Sequence, residues 1–542
     1  MAIELSLIFF AIIILVCIGL NGMSNKLGTP VLLAFIVLGM LASLWKQFSF
    51  VDMKLVEQFS TIALIFIMFY GGFGTRWESA KPVLKESVLL ATLGVVMTAG
   101  LTGLFCHFVL GWKWIESFLM GSVVSSTDAA SVFGILRSRK LGLRHHTAPI
   151  LEVESGSNDP LSYMLTVIFI SIYQGSATGG AIGYLVFAQI VYGLLCGLVL
   201  STLVVLLYKK LRQLPSGFDS MLNVSIALLA YAIPALIKGN GFLCTYIVGM
   251  VMGNFVKINS QTKKAQIHFF DGVTTLMQIY LFFLLGLVAG PSVMGGASVK
   301  EILLPALFIA LFMLLISRTA TIFFFLGFFK KYKKWIKQKA LISFVGLRGA
   351  ASIVFAIMAT ASLGNTMEHN ILGIVFLIVL LSIAVQGTLL PAVAKRLDMI
   401  DENEDVSKTF SDYSELYDAQ FGEFELTEKS PWAGKTIKEI GTPKSMLFAL
   451  VFRNGECITP RGHTVLQAGD KIVVSTKKSE NSGNLSEDVI RPSSEFVGKT
   501  LDEWSKENEG LVILLRRNDE TIIPKGNEKL HANDTIVVMN ED

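Results

Sequence analysis

From about residue 4 to residue 394 the chain alternates long apolar runs with short polar or basic stretches. In hydrocarbon a backbone must pair its own amides and carbonyls, so each run has to be a helix. Spanning about 30 Å at 1.5 Å per residue takes about 20 residues. Such runs fall at about 4–20, 29–45, 58–73, 87–111, 115–136, 148–174, 181–207, 221–237, 242–256, 268–289, 301–328, 340–361 and 370–394, thirteen in all. The first follows Met1 with no basic leader and no small-residue cleavage site after it, so it reads as a helix and not as a removed signal. Composition agrees: 52% of the residues are hydrophobic and 16% charged, against about 25% charged in soluble domains. Residues 1–400 carry a net charge of +14 and residues 401–542 a net of −10. The expectation is a polytopic α-helical membrane domain followed by an acidic soluble tail.

Orientation follows from the basic residues between the runs, because lysine and arginine accumulate on the cytoplasmic side. One set of alternating loops holds 22 of them, including Arg137, Arg139, Lys140 and Arg144 and the six lysines between 330 and 339; the other holds five. This split predicts a multi-pass protein of the cell (inner) membrane with its N-terminus outside and its tail in the cytoplasm. The five cysteines and seven histidines form no metal-ligand or disulfide spacing. No resident cofactor and no nucleic-acid partner are expected.

Two segments nearly repeat one another. Residues 122–133 read SVVSSTDAASVF and residues 343–354 read SFVGLRGAASIV, at an offset of 221. Each interrupts an apolar run with polar, Gly-containing sequence, one bearing Thr127-Asp128 and the other Arg348-Gly349. The same offset carries the sixth run onto the thirteenth, and the first, third and fourth roughly onto the eighth, tenth and eleventh. A shift of seven helices reverses direction in an up-down chain. The prediction is therefore two inverted six-helix repeats whose crossed, broken helices frame a site near the membrane midplane. Small-residue packing motifs alone can produce such likeness, but the agreement in helix count, spacing and polar interruption favours a true repeat.

The ionisable groups within the apolar runs are the next signal. From Leu151 the chain reads LEVESGSNDPLSYMLTVIFI. Glu152, Ser155 and Asp159 fall along one side of the helix, and Glu154 and Asn158 along an adjacent stripe. Each charge near the bilayer centre costs about 2.5–3.5 kcal/mol on insertion scales, so carboxylates kept there face a cavity or pair with a cation. Pro160 frees the carbonyl of Gly156. Carboxylates, a hydroxyl and free carbonyls make the hard oxygen set that suits an alkali cation or a proton. Glu152, nearest the loop, is expected at the membrane surface. Asp128 has two readings of equal weight, ion contact or satisfaction of the exposed amides of a broken helix. Arg348 is expected to be structural, neutralising Glu154 and compensating helix dipole ends. Arg318 and Asp271 have no assigned role, capping of an expected helix start being the one reading offered for Asp271.

The segment STDAA, then ESGSND about thirty residues later, then GLRGAAS in the penultimate helix resemble the NhaP-like branch of the monovalent cation/proton antiporters over roughly residues 5–395. The family's usual Glu-Ser-Leu-hydrophobic-Asn-Asp string is altered here by Gly156-Ser157. The resemblance implies that Asp159 binds both cation and proton. It implies that Thr127 (through its carbonyl), Asp128, Glu154 and Ser155 shape the site, with the monovalent cation held by Asp159, Thr127 and Ser155. Asn158 with Arg348 would hold Glu154 in place. It further implies a homodimer with a mobile core. Because Asn158 stands where electrogenic relatives carry a second aspartate, one-for-one electroneutral exchange is expected. Burial favours a neutral carboxyl and a bound cation favours the carboxylate, so proton and cation would compete for Asp159.

The tail has its own repeat, at an offset of 64. SPWAGKTIKEI (430–440) matches SEFVGKTLDEW (494–504), and GECITPRGHTVLQAGDKIVV (455–474) matches DETIIPKGNEKLHANDTIVV (519–538). Each copy reads as strand, short helix, then strands, separated by Pro-x-Gly turns. The GKT triplets lack the upstream glycine spacing of a phosphate loop. The pattern resembles tandem TrkA-C (RCK C-terminal) modules, whose type implies association with potassium transport, dimerisation and a small regulatory ligand such as a nucleotide. The expected domains are a transmembrane antiporter domain at 1–397, an acidic linker at 398–420 and modules at 421–478 and 485–542. Function is expected to be exchange of K⁺, or else Na⁺, for H⁺, serving pH homeostasis. A ligand-gated cation channel with an RCK-type tail is the alternative. An enzyme is not expected, since the Tyr-Asp and Gly-x-Gly-Asp signatures of intramembrane aspartyl proteases are absent around Asp128 and Asp159.

Overall fold

The computed structural model describes residues 15, 16, 19, 31–44, 52–139, 141–175, 179–210, 218–256, 260–294, 301–332 and 335–401, and in the tail 419–427, 430–440, 446–453, 456–458, 460–477, 485–490, 492, 494, 496–508, 511–517, 520–522 and 524–539. Two compact units result, Met1–Ser414 and Glu415–Asp542. The expected first helix lies almost wholly outside the described residues.

In the first unit the helices are α1 (Val31–Ser43), α2 (Met53–Gly74), α3 (Trp77–Phe108), α4 (Trp114–Val123), α5 (Ala129–Ser138), α6 (Thr147–Tyr173) and α7 (Gly179–Lys210). They continue with α8 (Phe218–Leu236), α9 (Gly241–Phe255), α10 (Ser260–Met294), α11 (Leu303–Gly327), α12 (Ile336–Phe344), α13 (Ala350–Leu363) and α14 (Ile371–Arg396). Among the described residues, α2, α3, α7, α8, α10, α11 and α14 are long and apolar enough to cross a membrane, and α1, α9 and α13 are shorter apolar helices. Glycine decides how closely some of them pack. Gly72 of α2 lies against the Tyr246 carbonyl of α9, while Gly249 and Gly253 of α9 lie against the Phe69 and Phe73 carbonyls of α2. Backbones approach this closely only where no Cβ intervenes.

Two of the expected runs are broken. The chain leaves helix between Val123 and Ala129, and again between Phe344 and Ala350. In the first break Ser125 turns its hydroxyl onto the Ser122 carbonyl at 2.7 Å, the local bond by which serine competes with helix continuation. The two breaks meet: the Asp128 amide donates to the Leu347 carbonyl at 2.8 Å. Gly349 completes the contact, because a Cβ there would run into the Asp128 carboxylate.

A short ribbon closes the unit. Strand β1 (Gly142–Leu143), in the α5–α6 connection, pairs antiparallel with β2 (Ile400–Asp401), and Arg144 pairs with Asp398 at 3.0 Å. The start of the expected linker is thus fixed to the first unit, while residues 402–418 lie outside the described residues.

The tail forms two antiparallel four-stranded sheets. The first has strand order β3 (Ala419–Glu425), β6 (Lys471–Lys477), β4 (Met446–Arg453), β5 (Glu456–Ile458). The second repeats it with β7 (Leu485–Val489), β10 (Thr535–Met539), β8 (Leu511–Arg517), β9 (Glu520–Ile522). The turn before each final long strand needs a left-handed residue, supplied by Gly469 (φ 87°) in one copy and Asn533 (φ 69°) in the other; asparagine is among the few side chains that accept that region.

Each sheet is pinned by one buried carboxylate. Arg453 donates to both Asp470 oxygens at 2.7 Å, and Arg517 to Asp534 at 2.9 and 2.8 Å. The Arg453 hydrogen bonds hold Asp470 below the usual carboxylate range. Burial alone would raise Asp534, but Arg517 and the His531 amide outweigh it and lower it. A carboxylate lowered by folding stabilises the fold above the ordinary carboxylate range, and that stability is lost as pH falls through the depressed folded value. Hydrogen exchange on the full chain is expected to show protection of β4 and β6 collapsing in that acid range. Asp470→Asn should lower protection already at neutral pH and flatten its acid dependence.

Candidate functional site

α6 carries the densest set of buried polar residues: Glu152, Glu154, Ser155, Asn158 and Asp159 are each at most 8% exposed. One turn of this helix grips the break between α4 and α5. The Ser155 hydroxyl donates to the Thr127 carbonyl at 2.6 Å and accepts the Ala129 amide at 2.7 Å. The Asn158 side-chain amide donates to Thr127 Oγ1 at 2.6 Å, and its oxygen accepts the Thr127 amide at 3.5 Å. Asn158 therefore positions Thr127, and not Glu154 as expected.

Asp159 accepts a hydrogen bond from the Ser126 hydroxyl. Among the described residues no lysine, arginine or histidine forms an ion pair with it. Asp128 accepts from the Ser131 amide at 3.2 Å and the Ser131 hydroxyl at 2.5 Å. It thereby caps the N-terminus of α5, where a negative group also suits the helix dipole.

The arginines are placed differently from the expectation. Glu154 is held by Arg318, whose two terminal nitrogens donate to the two carboxylate oxygens at 2.5 and 2.8 Å. Both side chains are buried, at 6% and 1% exposure, and the forked geometry is the strong form of this pair. Arg348 instead donates to the Ser125 and Ser126 carbonyls at 2.8 and 2.6 Å. It satisfies acceptors that the broken helix leaves open, which supports its structural reading and removes it as the partner of Glu154. A π-helical turn at Met313–Ser317 immediately precedes Arg318.

A cavity of about 160 Å³ collects most of the expected site residues. Asp159, Asp128, Thr127 and Ser155 line it; Glu154, Asn158 and Arg348 do not. Two further acids correct the sequence expectation. Glu152 lines the cavity at 5% exposure and does not sit at a surface. Asp271 also lines it, well inside α10, with the Tyr70 hydroxyl 3.4 Å away, and so caps nothing. Sequence reasoning missed Ser126 and Tyr246. Ser126 stood inside the duplicated segment but carried no charge to single it out, and Tyr246 lies on a helix with no other signal. Oxygen donors of three kinds around one cavity can hold a small dehydrated cation or a proton.

Residues 11–396 match the family described as sodium/hydrogen exchanger, transmembrane, and residues 421–480 and 485–541 each match the TrkA-C domain. The chain is 32% identical over 487 residues to the K(+)/H(+) antiporter NhaP of Alkalimonas amylolytica, covering 88% of this chain and 82% of that protein. It is 26% identical over 424 residues to the low-affinity Na(+)/H(+) antiporter NhaS1 of Synechocystis, covering 74% and 76%. The structure of the sodium proton antiporter MjNhaP1 from Methanocaldococcus jannaschii superposes with a TM-score of 0.63 at 20% identity, covering 74% of this chain and all of that one.

Proposed function

The chain belongs to the sodium/hydrogen exchanger family, a family of transporters and not of enzymes, and on that premise we propose that it is a cation/proton antiporter in which K⁺ and H⁺ exchange one for one at Asp159. The observation that carries this reading is the unequal treatment of the buried acids. Glu154 has a fixed counter-charge in Arg318 and Asp128 has a helix terminus, but Asp159 has only a neutral hydroxyl donor, at the wall of a cavity. A buried carboxylate without a counter-charge needs a mobile one, either a proton or a cation. Each neutraliser excludes the other. The site then crosses the membrane only when neutralised, which couples the two fluxes without a leak.

Within this reading the membrane domain, residues 1–397, has thirteen crossings in two inverted repeats, with the N-terminus outside the inner membrane and the tail in the cytoplasm. The meeting of the two breaks supports it. Exchange is electroneutral because Asn158 leaves one titrating carboxylate in the α6 turn. Potassium is favoured because relatives named for K⁺/H⁺ exchange match over most of the chain, and because this chain carries tandem TrkA-C modules. Sodium is the second substrate. The modules, at 421–478 and 485–542 beyond a linker at 398–420, regulate exchange by binding a small ligand such as a nucleotide, and the protein works as a homodimer in pH homeostasis.

The test is purified protein in proteoliposomes carrying a proton-sensitive dye. K⁺ pulses should move protons at a lower half-saturating concentration than Na⁺ pulses, at a rate unaffected by clamping the membrane potential. A cation conductance without proton movement would replace the exchanger with the channel reading.

A further inference from the structure

Gly156 is the single glycine of α6, and it does not face empty space. A Cβ built on it would lie 2.7 Å from Tyr246 Cε2 and 3.0 Å from the Tyr246 hydroxyl. The phenol ring therefore occupies the notch that the missing side chain leaves, one turn before Asp159. Tyr246 comes from α9, which is locked to α2. The close glycine contacts described above hold the two helices together. So does Asn254, whose side chain donates to the Thr75 carbonyl at 2.7 Å and accepts the Trp77 amide at 2.8 Å. The ring is 3% exposed, and its hydroxyl meets Thr75 Oγ1 at 3.5 Å, the long limit of a hydrogen bond. Tyr246 and Asp159 line the same cavity.

We infer that Tyr246 is a specificity-determining cation ligand of the exchange site, seated by Gly156. Resting on the assignment of Asp159 as the exchanging carboxylate, it adds to that site a neutral oxygen from outside the α4–α6 segment. The pairing has a physical logic. A monovalent cation stripped of water needs several oxygens, and neutral ones fill its shell without adding charge. Ser126 already donates to Asp159, and the Thr127 carbonyl already accepts from Ser155. The Tyr246 hydroxyl, which meets Thr75 at the long limit and also the Ser157 side chain, keeps a lone pair to turn to an ion, since each hydroxyl oxygen carries two. It stands on a rigid α2–α9 pair, so its distance from Asp159 sets the size of ion that both can reach. The Gly156 notch fixes that distance.

The experiment uses the full-length protein in dye-loaded proteoliposomes, reading the half-saturating concentration and maximal rate for K⁺ and for Na⁺. Tyr246→Phe keeps the ring in its notch and removes only the oxygen. It is expected to raise the half-saturating concentration of the preferred cation about fivefold, as for the loss of one neutral polar contact, and to change the K⁺-to-Na⁺ ratio. Gly156→Ala forces the ring out and should lower the maximal rate. Adding Tyr246→Ala to it should restore the rate while leaving the half-saturating concentration high, a split that a merely structural tyrosine would not produce. Unchanged half-saturating concentrations for both ions in Tyr246→Phe would overturn the assignment. Asp159→Asn run alongside separates the two ideas. If it still exchanges, the Asp159 reading falls. If it is silent while Tyr246→Phe is unchanged, only the Tyr246 assignment falls.

Discussion

Asp159→Asn is expected to abolish cation-driven proton movement while leaving the protein folded. The asparagine amide is nearly isosteric, and it can still hydrogen-bond with the Ser126 hydroxyl that Asp159 engages. What it cannot do is change charge. Without a titrating group the cavity offers the cation no carboxylate and the proton no site, so neither can neutralise the other's vacancy. The substitution removes no ion pair, because none engages Asp159 among the described residues. Loss of exchange would therefore report on transport and not on collapse of a salt bridge. The measurement is dye quenching in proteoliposomes under K⁺ and Na⁺ gradients, with thermal unfolding in detergent as the check on folding. Retained exchange with either cation would move the chemistry to another acid of the cavity, with Asp128, Glu152 and Asp271 as the candidates.

Glu154 and Arg318 should behave in the opposite way, with a large effect on stability. Breaking a buried, forked ion pair leaves one charge uncompensated in a low-dielectric interior, which costs about 3–5 kcal/mol, whereas replacing both partners by apolar groups is often close to neutral. Arg318→Met alone and Glu154→Leu alone should each lower the unfolding temperature substantially. The double variant should lie nearer to the wild type than either single change. That non-additivity is the signature of a direct pair. The double variant is also expected to keep measurable exchange, because Glu154 does not line the cavity and its carboxylate already has both oxygens engaged. Additive losses in the cycle would break the pairing, and a folded but silent double variant would return Glu154 to the ion site.

The residues of α6 were legible because they violate the rule of their surroundings. Carboxylates inside an apolar run are costly enough that their presence alone marks a site, and helical spacing then places Ser155 and Asp159 on one side. The two breaks were legible for a related reason, since polar and glycine-bearing sequence interrupts matching runs. The tail was legible through its repeat, whereas the equivalent pairs Arg453–Asp470 and Arg517–Asp534 came only from the structure. Glu152 and Asp271 were misplaced because distance along the chain from a loop is a poor measure of depth. α10 begins at Ser260, well before the apolar run that predicts it, so Asp271 falls in its interior.

The sequence by itself determined the class of the protein, a membrane domain of many apolar helices, and singled out the acids of α6, because hydrophobicity and charge cost are properties of each segment taken alone. Only the tertiary structure decided the partners. Arg318 meets Glu154 across 164 residues while Arg348, the arginine of the repeat, turns to carbonyls instead. The π-helical turn at Met313–Ser317 shows why this could not be read from spacing. One extra residue in a helix turns everything beyond it by about 100°, so the face that Arg318 presents depends on a local irregularity that no periodicity announces. The choice of Tyr246 for the Gly156 notch has the same origin. It depends on how closely α9 lies against α6, and contact between helices is set by their packing and not by either sequence alone.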